Sequence, residues 1–312
     1  YRMRMVGQQL MLERALPKLY QGEKYGYRLP IGLMSVIDGC KPETLRAYYR
    51  KWYRPDNQAI IVVGDVDVNH IEGKIKELFS GIKVPKDAAK VIPVPVADND
   101  TAIYVVDKNK EQQYDIINIM MKNETTPDSL KGTLPYLLEG YLKNVATSML
   151  NARFSEMARE ADCPFLQGGS DIGNYLVSST KNAFSVVGVA KPGKVKEAYA
   201  ALMREAKRVH DFGFTASEYQ RAKDEFMSHV DKTYENRAKM KNEQFTTQYV
   251  DHFISNEPIP SVEDETQIYK MVVPRLSVDV VNSAVKQLIC TTDTNLVSMV
   301  FMHEAEGAVY PT

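Results

Sequence analysis

A helix, a strand and a second helix are predicted in immediate succession between residues 41 and 80, and this order constrains the fold more than any other feature. Apolar and aromatic side chains recur at helical spacing over residues 41–53, and Pro42 suits the first turn of that helix. Residues 59–63 are continuously apolar and mostly β-branched, which predicts a strand covered on both faces. Helical spacing returns over residues 68–79. Helices that alternate with strands in this way are typical of α/β and α+β folds.

The remaining sequence continues this alternation of helical and extended segments. Apolar spacing predicts an N-terminal helix over residues 3–19. Strands are predicted at residues 101–106, 114–121, 184–190 and 295–302, with paired short strands and a turn at residues 165–180. Helices are predicted at residues 133–161, 195–210, 242–254 and 278–289, and another starts at the capping box Thr215-Ala-Ser-Glu218 and continues past Arg237. The part of the chain after residue 100 is therefore predicted to be α+β.

The size and the charge balance of the chain exclude several classes of protein. At about 150 residues per domain, 312 residues predict two domains, each able to form a core without disulfides or metals. Hydrophobic residues make up 44% and charged residues 25%, which excludes a disordered or collagen-like chain. The net charge of −1 indicates no nucleic-acid or membrane partner. The longest aliphatic run, residues 59–63, is far shorter than the roughly 20 residues of a membrane span.

A proline-containing stretch indicates where the two domains meet. Residues 83–99 include three prolines among Val, Ala and Lys, a composition typical of an extended connector. We therefore predict a first unit at residues 1–88, a linker at residues 89–99 and a second unit at residues 100–312. The chain begins at Tyr1 without an apolar stretch behind it, so we expect no signal peptide here and a longer parent protein.

Histidines, cysteines and glycine motifs predict no metal, nucleotide or nucleophile site. No two of the five histidines lie three or four residues apart, and neither H-E-x-x-H nor H-x-x-E-H occurs. The three cysteines are far apart, form no C-x-x-C pair and are expected to be buried free thiols. The phosphate-loop, dinucleotide and G-x-S-x-G motifs are also absent. Carboxylate pairs such as Glu156 and Glu160 have basic neighbours and are predicted to be solvated surface charges.

Four elements in the first unit and two in the second follow a recognisable order. The first four are Tyr-Gly-Tyr-Arg-Leu-Pro-Ile-Gly at residues 25–32, Tyr-Arg-Pro-Asp-Asn at residues 53–57, Ile-Ile-Val-Val-Gly-Asp-Val-Asp at residues 60–67, and a helix with Ile71 that ends at Phe79. This order resembles the pitrilysin/insulinase family of zinc metallopeptidases. Residues 149–160, with Asn-Ala-Arg and Arg-Glu, and residues 213–223 resemble the next unit of the same family.

The resemblance implies a fold, an activity and the place of the metal. It implies α+β metallohydrolase-like units with a mostly antiparallel sheet packed against helices, arranged as two halves that clasp an unfolded peptide. It also implies zinc held by two histidines of an H-x-x-E-H helix and a later glutamate, with water attacking the peptide bond. None of these residues occurs in this chain, and the third ligand is expected upstream of Tyr1. We therefore expect this chain to bind no zinc and to have no catalytic residue.

Five residues near the expected metal-bearing unit are candidates for the wall of the substrate chamber: Tyr27, Arg28, Tyr53, Arg54 and Asn57. Their aromatic and polar side chains suit contacts with a peptide. The alternative interpretation is structural, because Arg54-Pro55-Asp56-Asn57 has the composition of a turn and Arg28 can cap or pair with a neighbouring helix.

The sequence therefore predicts a fragment of a zinc-dependent endopeptidase or oligopeptidase, inactive by itself and serving as scaffold and chamber wall. Its expected partners are an unfolded peptide or protein substrate and the remaining units of the same polypeptide or a partner subunit. Two alternatives stay open: a non-catalytic subunit that binds peptide or protein without metal, and a small-molecule enzyme with a histidine beside a carboxylate in a polar pocket. The sequence Tyr-Arg-Leu-Pro-Ile-Gly at residues 27–32 resembles that of bacterial, exported members of the family. This resemblance favours the periplasm or cell envelope over the cytoplasm.

Overall fold

A mixed sheet of five strands organises the larger part of the chain. The computed structural model describes residues 7–30, 32–306 and 310. The strands are β1 (Ile103–Asn109), β2 (Ile116–Asn123), β3 (Phe165–Asn174), β4 (Asn182–Ala190) and β5 (Leu296–His303). They lie in the order β1-β5-β2-β4-β3, with β1 parallel to β5 and the other neighbouring pairs antiparallel. The predicted α+β class, with a mostly antiparallel sheet packed against helices, is confirmed.

Ten α-helices lie within the described residues, and most begin at or next to the predicted position. Four precede the sheet: α1 (Gly7–Leu19), α2 (Met34–Gly39), α3 (Pro42–Trp52) and α4 (Val68–Phe79). Six more lie after β2: α5 (Leu134–Met157), α6 (Val195–Phe212), α7 (Ala216–Glu235), α8 (Asn242–Ser255), α9 (Val262–Val272) and α10 (Val278–Leu288). Residues 3–6 of the first predicted helix lie outside the described residues.

Two helices were not predicted, and the predicted capping box is confirmed. The short helix α2 has only six residues, too few for a periodic pattern. Helix α9 is capped by Ser261, whose side chain accepts a hydrogen bond from the amide of Asp264, and three acidic residues fill the first turn of the helix. In α7 the side chain of Thr215 accepts from the amide of Glu218, and Glu218 in turn accepts from the amide of Thr215. Capping chemistry therefore marks helix starts that apolar spacing alone misses.

Helices cover one face of the sheet and form the larger core. Ile117, Ile119 and Met121 of β2 point to this face because side chains alternate along a strand, and all three are buried. They belong to the same cluster as Val145 of α5 and Leu202 of α6, and helices α7, α9 and α10 add further side chains. The buried members of this core all lie C-terminal to the predicted linker.

The opposite face of the sheet is covered by α1. Met11, Leu16 and Leu19 of α1 are fully buried against side chains of β1 and β5. Two tyrosines complete this second core: the rings of Tyr20 and Tyr175 meet edge to face at 5.3 Å, and the hydroxyl of Tyr20 donates to the carbonyl of Tyr175 at 3.0 Å. The N-terminal helix is thus packed on the sheet formed by residues beyond the predicted linker.

The strand predicted at residues 59–63 is wrong for this structure. These residues have no strand assignment, and Ile60 and Val62 are about half exposed, at 48% and 49%. A strand exists only through hydrogen bonds to a neighbouring strand, and no described segment of this chain pairs with them. The apolar pattern is the kind that a covered strand has, and no element within the described residues covers it.

The paired short strands predicted at residues 165–180 are also wrong. β3 is one strand that runs to Asn174 and pairs along its length with β4, apart from a register shift between Phe165 and Gln167. Gly168 does not interrupt it. A β-carbon at this position would lie 3.1 Å from Cβ and Cγ of Phe154, so the glycine lets α5 approach the sheet closely. The glycine serves packing here rather than a turn.

Within residues 7–30 and 32–306, none of the helices combines the length and the apolar character that crossing a bilayer requires.

Candidate functional site

Tyr27 and Arg28 lie on the surface, directly after a short turn. Tyr27 is 57% exposed and Arg28 is exposed as well. The guanidinium carbon of Arg28 is 5.8 Å from the centroid of the Tyr27 ring, within the range of a cation–π contact. Both side chains can therefore contact another molecule without a change in the fold.

Arg54, in contrast, is buried and holds the turn that follows α3. Its Nε and Nη2 donate to the two carboxylate oxygens of Asp56 at 3.0 and 2.9 Å. Its Nη1 donates to the carbonyl of Lys51 at 2.7 Å, and Nη2 also donates to the carbonyl of Ala89 at 2.8 Å. The hydrogen bonds from Arg54 lower the pKa of Asp56 below its usual range. The polar groups of Arg54 are thus engaged inside the turn.

Asn57 and Tyr53 flank the same turn with different surroundings. The side-chain amide of Asn57 donates through Nδ2 to the carbonyl of Trp52 at 3.1 Å, which closes the turn. Tyr53 is 57% exposed and its ring stacks on that of Tyr49, with centroids 4.8 Å apart. Among the described residues, no hydrogen bond, ion pair or ring contact joins this group to Tyr27 and Arg28. The described contacts therefore divide the five candidates into two groups.

Many large apolar side chains are exposed on the segment that carries this turn. Between residues 32 and 95, Arg54 is the only buried residue. On α3, Leu45, Tyr48 and Tyr49 recur at helical spacing and are each about 60% exposed. We call the exposed apolar side chains of residues 45–79 together the apolar face; they are Leu45, Tyr48, Tyr49, Tyr53, Ile60, Val62, Val68, Leu78 and Phe79. Large apolar side chains exposed in this number are typical of an interaction site.

The described residues do not fit zinc. They contain no group of three or more histidine, cysteine, aspartate or glutamate side chains placed to hold a metal ion. Two histidine rings are already bound to backbone, since Nδ1 of His252 lies 2.6 Å from the carbonyl of Glu257 and Nδ1 of His303 lies 2.7 Å from that of Gln112. The cysteines are free, with Cys163 buried and Cys40 and Cys290 half-buried. No residue of the described chain is assigned to zinc.

An ion cluster ties α5, α6 and α7 together. Arg153 donates through Nε to Glu218 at 2.6 Å and through Nη1 to Glu205 at 2.9 Å, while Nη2 reaches the carbonyl of Gly213 at 3.1 Å. Burial alone would raise the pKa of Glu218, but hydrogen bonds from Arg153 and Thr215 outweigh it and lower the pKa to about 2. Arg153 was noted in the sequence only as part of the family motif. Its observed role is to hold three helices in place.

A cavity that sequence reasoning missed lies where β4 and β5 end and β2 begins. It encloses about 450 Å³, and His303 and Asp115 are both on its wall. The contact between them runs from the backbone amide of His303 to Oδ1 of Asp115 at 2.9 Å, so the carboxylate does not orient the imidazole ring. The two residues are 188 positions apart, and no local pattern could have joined them. This arrangement does not provide the acid–base pair that a small-molecule enzyme would need.

Comparisons with known proteins agree with this structure. A sequence profile described as "Peptidase M16 inactive domain" matches residues 40–226, more than half of the chain and across the predicted linker. The chain is 25% identical over 260 residues to the "Zinc protease PQQL-like" of Arabidopsis thaliana, covering 83% of this chain and 24% of that protein. It is 25% identical over 259 residues to the "Probable zinc protease PqqL" of Escherichia coli strain K12, covering 80% and 26%. The chain thus spans about a quarter of the length of these curated relatives.

A solved structure shows the same fold. The first half of the periplasmic protease PqqL from Escherichia coli superimposes with a TM-score of 0.82 at 19% identity, covering 97% of this chain and 63% of that one. Together with the profile match, this confirms the resemblance to the insulinase-type zinc proteases that the sequence motifs indicated. The chain belongs to the family of the peptidase M16 inactive domain.

Proposed function

We propose that this chain is the scaffold and part of the chamber wall of a zinc-dependent peptidase that cleaves peptides or unfolded proteins. The observation that carries the proposal is the match of residues 40–226 to the inactive domain of the peptidase M16 family. The described residues also offer no set of three metal ligands, so the proposal assigns zinc and the activated water to another part of the parent protein. When bound there, zinc would polarise the water that attacks the peptide bond.

The exposure of residues 32–95 supports the division into units. We propose that residues 1–88 are the end of a metal-bearing unit, residues 89–99 a linker and residues 100–312 a second unit. An apolar face this large is unfavourable in water, and residues 59–63 have the pattern of a strand without a partner strand. Both features are explained if the rest of the same polypeptide, or a partner subunit, covers the apolar face.

The five candidate residues divide between wall and scaffold in this proposal. Tyr27, Arg28 and Tyr53 are exposed and available to bind the backbone or the side chains of a peptide. Arg54 and Asn57 hold the turn from which Tyr53 projects. The substrate is an unfolded peptide or protein because an enclosed chamber admits extended chains. We propose the periplasm or cell envelope as its location, since the related Escherichia coli protease is described as periplasmic.

The test is zinc content together with hydrolysis of an internally quenched, unstructured peptide. Both are measured for this chain, for the separately produced upstream segment of its parent, and for their mixture. We expect zinc and hydrolysis to require the upstream segment, with the highest activity in the mixture. Zinc or hydrolysis in this chain alone would contradict the proposal. A stable mixture that holds no zinc would instead favour the non-catalytic subunit.

One variant on α3 and a control on α4 connect this test to the structure. Leu45→Asp places a charge in the apolar face and is expected to abolish assembly with the upstream segment, because burying an unpaired charge is costly. Lys74→Ala is the control, since Lys74 is exposed and forms only a surface ion pair with Glu77. Equal assembly of both variants would show that the apolar face is not the contact.

A further inference from the structure

The cavity at the end of the sheet has an apolar floor. Leu166 of β3, Ala190 at the end of β4, Val195 at the start of α6 and Met302 of β5 line it. Its volume of about 450 Å³ falls within the range of roughly 300–1,000 Å³ that is typical of ligand sites. The cavity lies apart from the five candidate residues and from the apolar face, none of which lines it. It therefore needs an explanation of its own.

Asp115 is fixed on the wall of this cavity. Its Oδ1 accepts a hydrogen bond from the amide of His303 at 2.9 Å, and its backbone carbonyl accepts from the amide of Ala190 at 2.9 Å. Its side chain is half-buried, and no donor among the described residues reaches its second carboxylate oxygen. One oxygen of the carboxylate is thus anchored, and the other is an acceptor available to a ligand.

The other polar groups that line the cavity form no ion pair with the carboxylate of Asp115 among the described residues. Nδ1 of His303 lies 2.7 Å from the carbonyl of Gln112, and because a carbonyl only accepts, Nδ1 donates this hydrogen bond. Glu197 and Lys196 stand at the rim, and Glu197 is paired with Lys194 at 3.1 Å. No ion pair joins Lys196 to Asp115 among the described residues. The charge at the fixed wall is therefore negative.

We propose that this cavity binds the side chain of a lysine or arginine in an extended peptide. The aliphatic stem would lie against Leu166, Val195 and Met302, and the cationic end would pair with the carboxylate of Asp115. The ring of Tyr114, 55% exposed at the same cavity, offers a face to the cation. The inference rests on the proposed function in one respect: the ligand is part of a peptide chain.

Two labelled, unstructured peptides test the proposal by fluorescence anisotropy. They are acetylated and amidated at their ends and differ at a single position, lysine in one and norleucine in the other. For the unaltered chain we expect the lysine peptide to bind about tenfold more tightly, the factor expected from one charge-assisted hydrogen bond. Equal affinities would overturn the cavity proposal while leaving peptide binding by the chain intact. Absence of binding by both peptides would overturn it as well.

Three variants separate the stem contact from the charge contact. Asp115→Asn should reduce the preference for the lysine peptide to less than about twofold and leave the affinity for the norleucine peptide unchanged. Leu166→Ala should weaken the binding of both peptides equally, because both make the contact of the aliphatic stem with Leu166. Glu263→Gln removes an exposed carboxylate that does not line the cavity and should change neither affinity. Unchanged thermal unfolding shows that each variant is folded, and retention of the lysine preference in Asp115→Asn would contradict the assignment.

Discussion

At the scale of single residues, the charge of Glu218 is expected to stabilise the fold through its hydrogen bonds. Glu218 accepts two hydrogen bonds from Arg153 and caps α7 through the amide of Thr215. Glu218→Gln keeps the size of the side chain but removes the charge. We expect the free energy of unfolding at pH 7 to fall by about 2 kcal/mol, the value typical of hydrogen bonds to charged groups. Urea unfolding of the variant and of the unaltered chain measures the difference.

The pH dependence of that difference follows from the pKa of Glu218. Its pKa is lowered from the ordinary 4.5 to about 2 in the folded chain. A lowered carboxyl pKa stabilises the fold fully above pH 4.5, and that contribution is lost as pH falls toward 2. The stability difference between the unaltered chain and Glu218→Gln should therefore be constant from pH 7 to pH 5 and shrink below. A difference that grows with acid would contradict the ion cluster.

Gly213 is a second residue whose identity is set by the backbone. Its φ of 70° and ψ of −163° lie in a region that glycine alone adopts readily, and an added β-carbon would lie 2.4 Å from Asn282. The side chain of Asn282 bonds both the amide and the carbonyl of Phe214. We expect Gly213→Ala to lower the free energy of unfolding by at least about 1–3 kcal/mol.

The matched control for this prediction is Gly132→Ala. Gly132 also has a positive φ, 79°, but an added β-carbon there would meet nothing within 4 Å. Chemical denaturation of both variants separates the backbone strain from the collision with Asn282. Gly213→Ala should be the more destabilising of the two, and equal losses would show that the contact with Asn282 is irrelevant.

At the scale of elements, residues 93–99 are a segment that side chains from several elements hold in place. We call this segment the strap. The carbonyl of Ala97 accepts from Lys122 at 2.7 Å, and its amide donates to Glu23 at 3.0 Å. Lys181 pairs with Asp98 at 2.7 Å. Burial lowers the pKa of Lys122. Burial also acts to lower the pKa of Lys181, but the hydrogen bonds to Asp98 and Glu124 outweigh it, so the pKa of Lys181 is raised. The predicted linker thus ends in a fixed conformation rather than a free one.

Removing one of these contacts should loosen the strap without unfolding the sheet. In Lys181→Met the buried stem is retained, but the bonds to Asp98 and Glu124 are lost. We expect amide hydrogen exchange of Ala97 and Asn99 to become about tenfold faster, because local opening needs less free energy. Exchange in β2 and β4 should change less. Lys74→Met, on the exposed face of α4, is the control, and equal exchange in both variants would contradict the strap.

The elements also show which features a sequence can predict and why. Local chemistry worked well: the capping box at Thr215 and the Arg54–Asn57 turn were both found from neighbouring residues. Features that depend on distant residues were missed, since nothing near Ile60 shows whether a partner strand is present. The cavity was missed for the same reason, because Asp115 and His303 come together only after β2 and β5 pair. Gly168 was misread because the reason for it lies in Phe154 on α5.

At the scale of the whole molecule, the apolar face of residues 45–79 should govern how the chain behaves in solution. Its side chains make almost no buried contact within the described chain, so they contribute little to folding but strongly to association. The triple variant Leu45→Ser, Tyr48→Ser and Tyr49→Ser removes the three side chains that α3 contributes to the apolar face. We expect much weaker binding of a dye specific for apolar surface and less self-association, as measured by sedimentation. The free energy of unfolding should change by no more than about 0.5 kcal/mol per residue.

A second triple variant on the same helix separates apolar contact from a general effect on α3. Glu43→Ser, Arg46→Ser and Arg50→Ser alter exposed charged residues at the same number of positions. This control should keep the dye binding and the self-association of the unaltered chain. If the upstream segment of the parent covers the apolar face, its addition should suppress dye binding by the unaltered chain and by the control. The apolar triple variant should assemble poorly with that segment. Strong assembly of the apolar variant would show that these side chains are not the contact, and a large loss of its stability would show that they belong to the core of this chain.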